Sequence, residues 1–522
     1  MDDKSVKTMR DLVAEVATLH ASVEDEHRAQ HIERQKKLGK MTARQRVAAF
    51  VDAGSFREYG PLVLGDGGVS RDIAPADGVV IGLARVAERP VGVGASDFTA
   101  LGGSSGTAGG LKQERLTDFC ITHGHPLVML WDGGGHRIQE GLSSHHFAGG
   151  NRSMQRYVDA SGWIPICCAI MGPGFAGPAN FAACCDFVVA VRGIASMGVA
   201  GPPLVKVALG KTVSKEELGD PDVQANKAGI IDLVVDSEEE ALKAIRRFLS
   251  FLPTNAQAPL PTLACEDPPE RADEALIDIV PTNLRQAYDV RRVLRSIADV
   301  DSIFELKPGY AKNLVTALGR LGGKPVGFIA NQPMVLAGTL DADAADKGAH
   351  FVSMCSAFGL PLIYFIDTPG FLVGPEAEKR GLARRSAKLV FELARATVPR
   401  VSVVLRKGYG LGYMAMNGGR SFDADIALAW PTAEIAAMSV EGGVDVAFKH
   451  LFRDAPHPDA ERARIIAEFK AKTTWEAAAA GFGIDDVIDP RDTRRRLIEG
   501  LSFCAARRLP RLPPKYHPVT PI

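Results

Sequence analysis

The stretch HGHPLVMLWDGGG, His123 to Gly135, has a second version 235 residues further on in FGLPLIYFIDTPG, Phe358 to Gly370. Each places a proline before an apolar run, then an aspartate, then a glycine turn. Pro90 of ERPVGVGA and Pro325 of GKPVGFIAN keep the same offset of 235, as do Lys112 and Lys347. Pro165 of WIPICCAIMGPGFAG and Pro399 of TVPRVSVVLRKGYGLG stand 234 apart. Similarity at a fixed period marks a duplicated unit. In each copy short Val/Ile/Leu runs alternate with amphipathic helical stretches, the pattern of an α/β fold around a buried sheet. The expected division is an N-terminal helical arm over 1–50, a first unit over 51–255, a proline-rich linker over 256–275 and a second unit over 276–522.

The bulk properties agree with this division. A chain of 522 residues is long for one core, and domains of ordinary size favour two. The composition, 46% apolar and 24% charged with a net charge of -1, is that of a globular protein. It offers no electrostatic footprint for nucleic acid or an anionic membrane. No uncharged apolar run reaches the ~18–20 residues of a spanning helix, and MDDKSVKTMRDLVAEV lacks the apolar centre of a secretion signal. A cytoplasmic protein is expected, or an organellar one whose presequence has been removed. The eight cysteines show no zinc spacing and read as buried apolar residues of a reducing compartment. No metal is expected.

The strands end in glycine-rich turns: ALGGSSGTAGG, DGGGHRIQEG and MGPGFAGPAN in the first copy, DTPGFLVG and KGYGLGYM in the second. A strand that turns sharply into a helix presents unpaired backbone N–H groups, which can hold an anion or a developing oxyanion. Any one of these turns has an alternative reading as a simple tight turn. Candidate nucleophiles are scarce: no GxSxG elbow occurs, GKT at Gly210 to Thr212 lacks the first glycine of a phosphate loop, and GGSSGTAGG misses the dinucleotide spacing. Many backbone donors with few nucleophiles suggest enolate chemistry. Lys112 and Lys347 hold equivalent helical places, where a shared structural contact competes with a CoA phosphate contact.

These motifs resemble the carboxyltransferase (β) subunits of biotin-dependent acyl-CoA carboxylases, such as propionyl-CoA and methylcrotonyl-CoA carboxylase. The resemblance runs almost from end to end through KLGKMTARQRVAAFVDAGSFREYG, DFTALGGSSG, DGGGHRIQEG, FELKPGYAKN, GFIANQP, GTLDADAADKGAHFVSMCSAFGLPLIYFIDTPGFLVG, AWPTAEIAAM and DDVIDPRDTRRRLIEGL. It implies two tandem crotonase-like domains, acyl-CoA on the first and carboxybiotin over the second domain of a dimer partner, and assembly as a hexamer built from dimers. The carboxyl group moves from carboxybiotin to the α carbon, or a vinylogous γ carbon, of an acyl-CoA. By position, the resemblance places the acyl-enolate oxyanion hole on the N–H groups of Ala176 and Gly177, and the biotin-side hole on those of Leu411 and Gly412. Around the acyl-CoA it places Gly102, Gly103, Ser104, Lys112, Gly133, Gly134, Gly135 and Arg137. Along the carboxybiotin channel it places Thr368, Pro369, Gly370, Phe371, Gly374, Tyr409 and Gly410. Neither an AMKM-like biotinylation sequence nor an ATP-binding glycine loop is found, so a separate biotin carboxylase and biotin carrier are implied. Two alternatives share the fold: a biotin-linked acyl-CoA decarboxylase or transcarboxylase, and a non-catalytic assembly subunit. The second draws on GFAGP, in which Pro178 has no N–H.

Overall fold

A computed structural model of the chain describes residues 7–65, 69–150, 152–508 and 519–521. The chain forms two units, Met1–Ala258 and Pro259–Ile522. In the first, strands β1 (Arg57–Tyr59), β2 (Val79–Val86), β3 (Arg89–Ser96), β4 (Leu127–Gly133), β5 (Ile166–Phe175), β6 (Phe187–Val191), β7 (Ser196–Gly198) and β8 (Leu233–Val235) build one sheet. Its order is β1-β2-β3-β4-β5-β6-β8, with β7 on β5. Strands β9 (Phe304–Leu306), β10 (Leu314–Leu321), β11 (Lys324–Asn331), β12 (Leu362–Thr368), β13 (Arg400–Tyr409), β14 (Ile426–Ala429), β15 (Glu434–Ala436) and β16 (Asp486–Val487) repeat that order in the second unit. The first pairings of each sheet are antiparallel and those from β3 and β11 onward are parallel. Parallel strands need both faces covered, so β4 and β12 are buried along their whole length.

The N-terminal segment differs from a simple arm. Helix α1 (Met9–Ala21) buries no residue, but α2 (Ala29–Lys37) and α3 (Ala43–Phe50) belong to the first unit. Charges of this segment serve buried carboxylates. Lys40 Nζ lies 2.6 Å and Arg46 2.8 Å from the Asp132 carboxylate, and Arg46 Nε also donates to Glu238 at 2.8 Å. Arg28 pairs with Asp97 at 3.0 Å. The residues expected as a linker also change character. From Pro259 they form a strap on the second unit, where Arg320 donates to Pro261 O at 2.8 Å and Arg494 to Pro268 O at 3.0 Å. Of the cysteines, Cys265 on this strap is exposed while Cys120, Cys167, Cys168, Cys185 and Cys355 are buried.

Helix α4 (Thr107–His123) carries Lys112 and the helix Ala342–Phe358 carries Lys347. Lys112 Nζ donates to Ala76 O at 2.9 Å and to Val79 O. Lys347 Nζ donates to Tyr310 O at 2.9 Å and Leu314 O at 2.7 Å. Leu314 is the counterpart of Val79, again 235 residues on. Lys112 is therefore committed to main-chain carbonyls at a strand start, which corrects its expected place against acyl-CoA.

Two outcomes test this framework. Arg46→Met leaves Asp132 and Glu238 short of a cation and should cost about 3–5 kcal/mol in urea unfolding. Adding Asp132→Asn should recover part of the loss, and a double variant no more stable than Arg46→Met would contradict the pairing. Burial pushes the Lys112 ammonium down to about 8. Its folded value lies below its unfolded one, so stability rises as pH climbs from about 8 to 10.5. Relative to Lys112→Met, the parent should gain on the order of 3 kcal/mol across that window, and a flat difference would contradict the burial effect.

Candidate active site

The glycines at the strand ends are required by close approach of main chain to main chain. A Cβ on Gly103 would lie 2.0 Å from Asp132 O, and one on Gly133 2.0 Å from Gly103 O. In the second unit a Cβ on Gly338 would lie 2.3 Å from Asp367 O. The turn after β3 is thus pressed against the end of β4, and its counterpart against β12.

This contact sets the direction of the peptide groups that follow. Ser105 N–H donates to Gly135 O and Arg137 N–H to Ser105 O, both at 2.8 Å. Alternate groups of an extended segment face opposite edges, so the His136 N–H is turned away from Ser105. On that other side begins the helix Gly177–Ala182, and a Cβ on Gly135 would sit 3.4 Å from Gly177 N. Neither the His136 nor the Gly177 N–H meets an acceptor among the described residues. Both residues line a cavity of about 120 Å³, together with Gly103, Ser105, Gly135 and Pro178.

The second unit repeats the geometry. Leu340 N–H donates to Gly370 O at 3.0 Å and Leu372 N–H to Leu340 O at 2.8 Å, which turns the Phe371 N–H the other way. Gly370 N–H is held by Thr368 Oγ1 at 3.2 Å. The helix Gly410–Ala415 starts beside this turn, and a Cβ on Gly412 would lie 2.7 Å from Gly370 Cα. Tyr409 donates its hydroxyl to Glu434, and burial together with that carboxylate raises the phenol far above its ordinary range.

Several expected site residues change role. Ala176 N–H donates to Gly198 O at 3.0 Å, so it is consumed in sheet pairing and unavailable to a ligand. The pairings Gly133 with Gly174 and Thr368 with Gly408 fix the frame between the copies. In that frame Gly177 matches Leu411, and Pro178 matches Gly412. The equivalent donors are therefore Gly177 and Leu411 from the helices, with His136 and Phe371 from the turns. Gly412 packs closely against Gly370, and its N–H likewise meets no acceptor among the described residues.

Arg137 is likewise internal. It pairs with Asp77 and Glu140, each at 2.7 Å, and reaches Ser104 O at 3.3 Å. Burial raises the Glu140 carboxyl, but the Thr107 N–H and hydroxyl and Arg137 outweigh it and hold the group below its usual value. Gly134, Pro369 and Gly374 are exposed. Gly102 lines a separate groove of about 580 Å³ with His31, Arg34 and Phe98. Ser104 Oγ is turned back to Leu101 O at 2.9 Å, and Gly410 supplies a φ of +59° at the helix start. His136 and Phe371 stand 235 residues apart immediately after the matched turns. That offset is the sequence signal that pairs them.

A family model described as the carboxyl transferase domain matches residues 34–520. The chain belongs to this family. It is 40% identical over 475 residues to the propionyl-CoA carboxylase carboxyltransferase subunit of Haloferax mediterranei, covering 90% of this chain and 91% of that one. It is 38% identical over 521 residues to the methylmalonyl-CoA carboxyltransferase 12S subunit of Propionibacterium freudenreichii subsp. shermanii, covering 98% of each. The crystal structure of transcarboxylase 12S, a hexamer assembly with methylmalonyl-coenzyme A and methylmalonic acid bound, matches with a TM-score of 0.93. That match is at 36% identity over 100% of both chains. The two units are crotonase-like, and the chain is a carboxyltransferase of the biotin-dependent acyl-CoA carboxylase and transcarboxylase class.

Leu411→Pro removes one N–H at a position in the first helical turn where proline is tolerated. It should reduce carboxyl transfer from a carboxylated carrier by about 10²–10³-fold, whereas Leu411→Ala, which keeps the N–H, should lose far less. Equal losses would show that the side chain, not the N–H, matters.

Proposed function

We propose that the two donor pairs are oxyanion holes with separate charges. The His136 and Gly177 N–H groups take the thioester oxygen of an acyl-CoA, and the Phe371 and Leu411 N–H groups take the ureido oxygen of carboxybiotin. The observation that carries this is the matched pair of unsatisfied N–H groups at one place in both copies. Preorganised donors of this kind stabilise charge as it develops and need no reorganisation during the reaction. The donors at Phe371 and Leu411 fit a ureido oxygen because that group is an acceptor there. Carboxybiotin, when bound, supplies the carboxyl unit and an acceptor for the α-proton.

Each donor pair then holds one oxygen, which accounts for the shortage of side-chain nucleophiles. Pro178 lies one residue past the donor at Gly177, so the loss of its N–H no longer favours a non-catalytic subunit. A separate biotin carboxylase and biotin carrier supply the carboxylated cofactor, and the protein assembles as a homohexamer, in line with the hexamer of the 12S structure. Similarity to the 12S subunit over 98% of each chain favours transcarboxylation as a second reading, since the same two sites serve either direction.

The test supplies a carboxylated biotin carrier with a panel of acyl-CoAs and follows carboxylated product. α-Carboxylation of at least one acyl-CoA is expected. No turnover of any, with a competent carrier and an intact oligomer, would remove the reading.

A further inference from the structure

The helix Gly177–Ala182, which offers the Gly177 N–H, also carries Phe181 one turn on. A helical side chain leans back over the preceding turn, and a Cβ on Gly177 would lie 3.7 Å from Phe181 Cε2. Donor and ring line the same cavity of about 120 Å³. Two further rings hold Phe181 in place. Trp131 stacks on it with centroids 5.8 Å apart and planes 9° from parallel, and Tyr157 lies against it with centroids 4.7 Å apart. Trp131 and Tyr157 are both buried, and moving the Phe181 ring would forfeit both contacts.

The second copy shows that the fold does not need this aromatic wall. In the frames that match Asp132 with Asp367 and Gly177 with Leu411, Trp131 corresponds to Ile366 and Phe181 to Ala415. Ile366 and Ala415 are fully buried, so an alanine satisfies this helix position. The bulk at 181 is a property of the first site.

Only one arm of a thioester can enter the cavity. With the oxygen between His136 and Gly177, the carbonyl carbon carries sulfur and CoA on one side and the α carbon on the other, and CoA is far larger than the space available. The acyl chain is the arm that fits. An apolar cavity of ~150 Å³ holds one benzene, and by that measure 120 Å³ holds about four or five carbons. The rest of the wall also opposes a longer chain. Ser96, Ser105, Gln113 and Ser153 line it, and extra methylenes would take water from their hydroxyl and amide groups without replacing its hydrogen bonds. We propose that Phe181 limits acyl length: its ring closes the first cavity to chains longer than about five carbons, so that the protein carboxylates short-chain acyl-CoAs and rejects medium and long ones. The proposal rests on the first cavity taking the acyl-CoA.

The experiment measures kcat/KM with a carboxylated carrier for acetyl-, propionyl-, butyryl-, hexanoyl-, octanoyl- and decanoyl-CoA, in the parent and in Phe181→Ala. A methylene that a pocket cannot place is worth about tenfold or more, so the parent should lose at least about 100-fold between butyryl- and octanoyl-CoA. Phe181→Ala should raise the ratio of octanoyl- to propionyl-CoA turnover by about 10–100-fold, and Phe181→Leu should raise it less. A parent that takes octanoyl-CoA as well as propionyl-CoA would overturn the proposal, as would an unchanged ratio in folded Phe181→Ala. If Phe181→Ala does not fold, the ratio in Phe181→Leu decides in the same way. If neither variant folds, a structure of the parent with butyryl-CoA decides: the terminal carbons should contact the Phe181 ring, and a chain lying outside the cavity would overturn the assignment. A parent that carboxylates none of the series, with a competent carrier and an intact oligomer, would instead contradict the reading of the first cavity on which the proposal rests.

Discussion

A carboxylate with no exposure sits at the end of the central parallel strand of each unit, Asp132 in β4 and Asp367 in β12, and each must be neutralised before the strand can end there. The two copies meet this need differently. Asp367 pairs with Arg406 at 2.8 Å and Lys407 at 3.5 Å, both from the neighbouring strand β13. The position equivalent to Arg406 in the first copy is Gly172, where a Cβ would lie 1.9 Å from Asp132 Oδ1 and 2.8 Å from Lys40 Nζ. The missing side chain leaves room for Lys40 and Arg46 to enter from the N-terminal helices. An ion pair this deeply buried costs desolvation on both sides and holds only when complete. The segment around α2 and α3 is thus part of the first unit because that copy has no cation of its own at this place.

The candidate site depends on that anchorage. Asp132 and Asp367 hold the strand ends against which Gly103 and Gly338 press, and that contact fixes the facing of the next peptides. His136 and Phe371 then carry N–H groups that turn away from their bridge partners and toward the helix starts at Gly177 and Leu411. The chemistry assigned to the protein uses main-chain atoms, so what the sequence must specify is closeness. Glycine specifies it by having nothing to displace.

Much of this architecture is legible in the sequence because duplication repeats its own evidence: the offset of 235 between Asp132 and Asp367 locates both strands, both turns and the equivalence of the units. The donor identities are less legible. Ala176 and Gly177 are neighbours in sequence, yet one N–H is spent on Gly198 in β7 and the other is not. That distinction is set by a strand pairing about twenty residues away, which no local motif records. The same limit applies to charge. Lys40 and Arg46 fall in a stretch that reads as a charged helical arm, and only their tertiary partners, the Asp132 and Glu238 carboxylates, show where they go.

The most direct measurement is a structure of the protein with a bound acyl-CoA at a resolution that places the thioester oxygen. The account predicts that oxygen within hydrogen-bond distance, about 3 Å, of both His136 N and Gly177 N, with Ala176 N–H still held by Gly198 O. A thioester oxygen bound by Ala176 N–H, or lying away from His136 and Gly177, would contradict it.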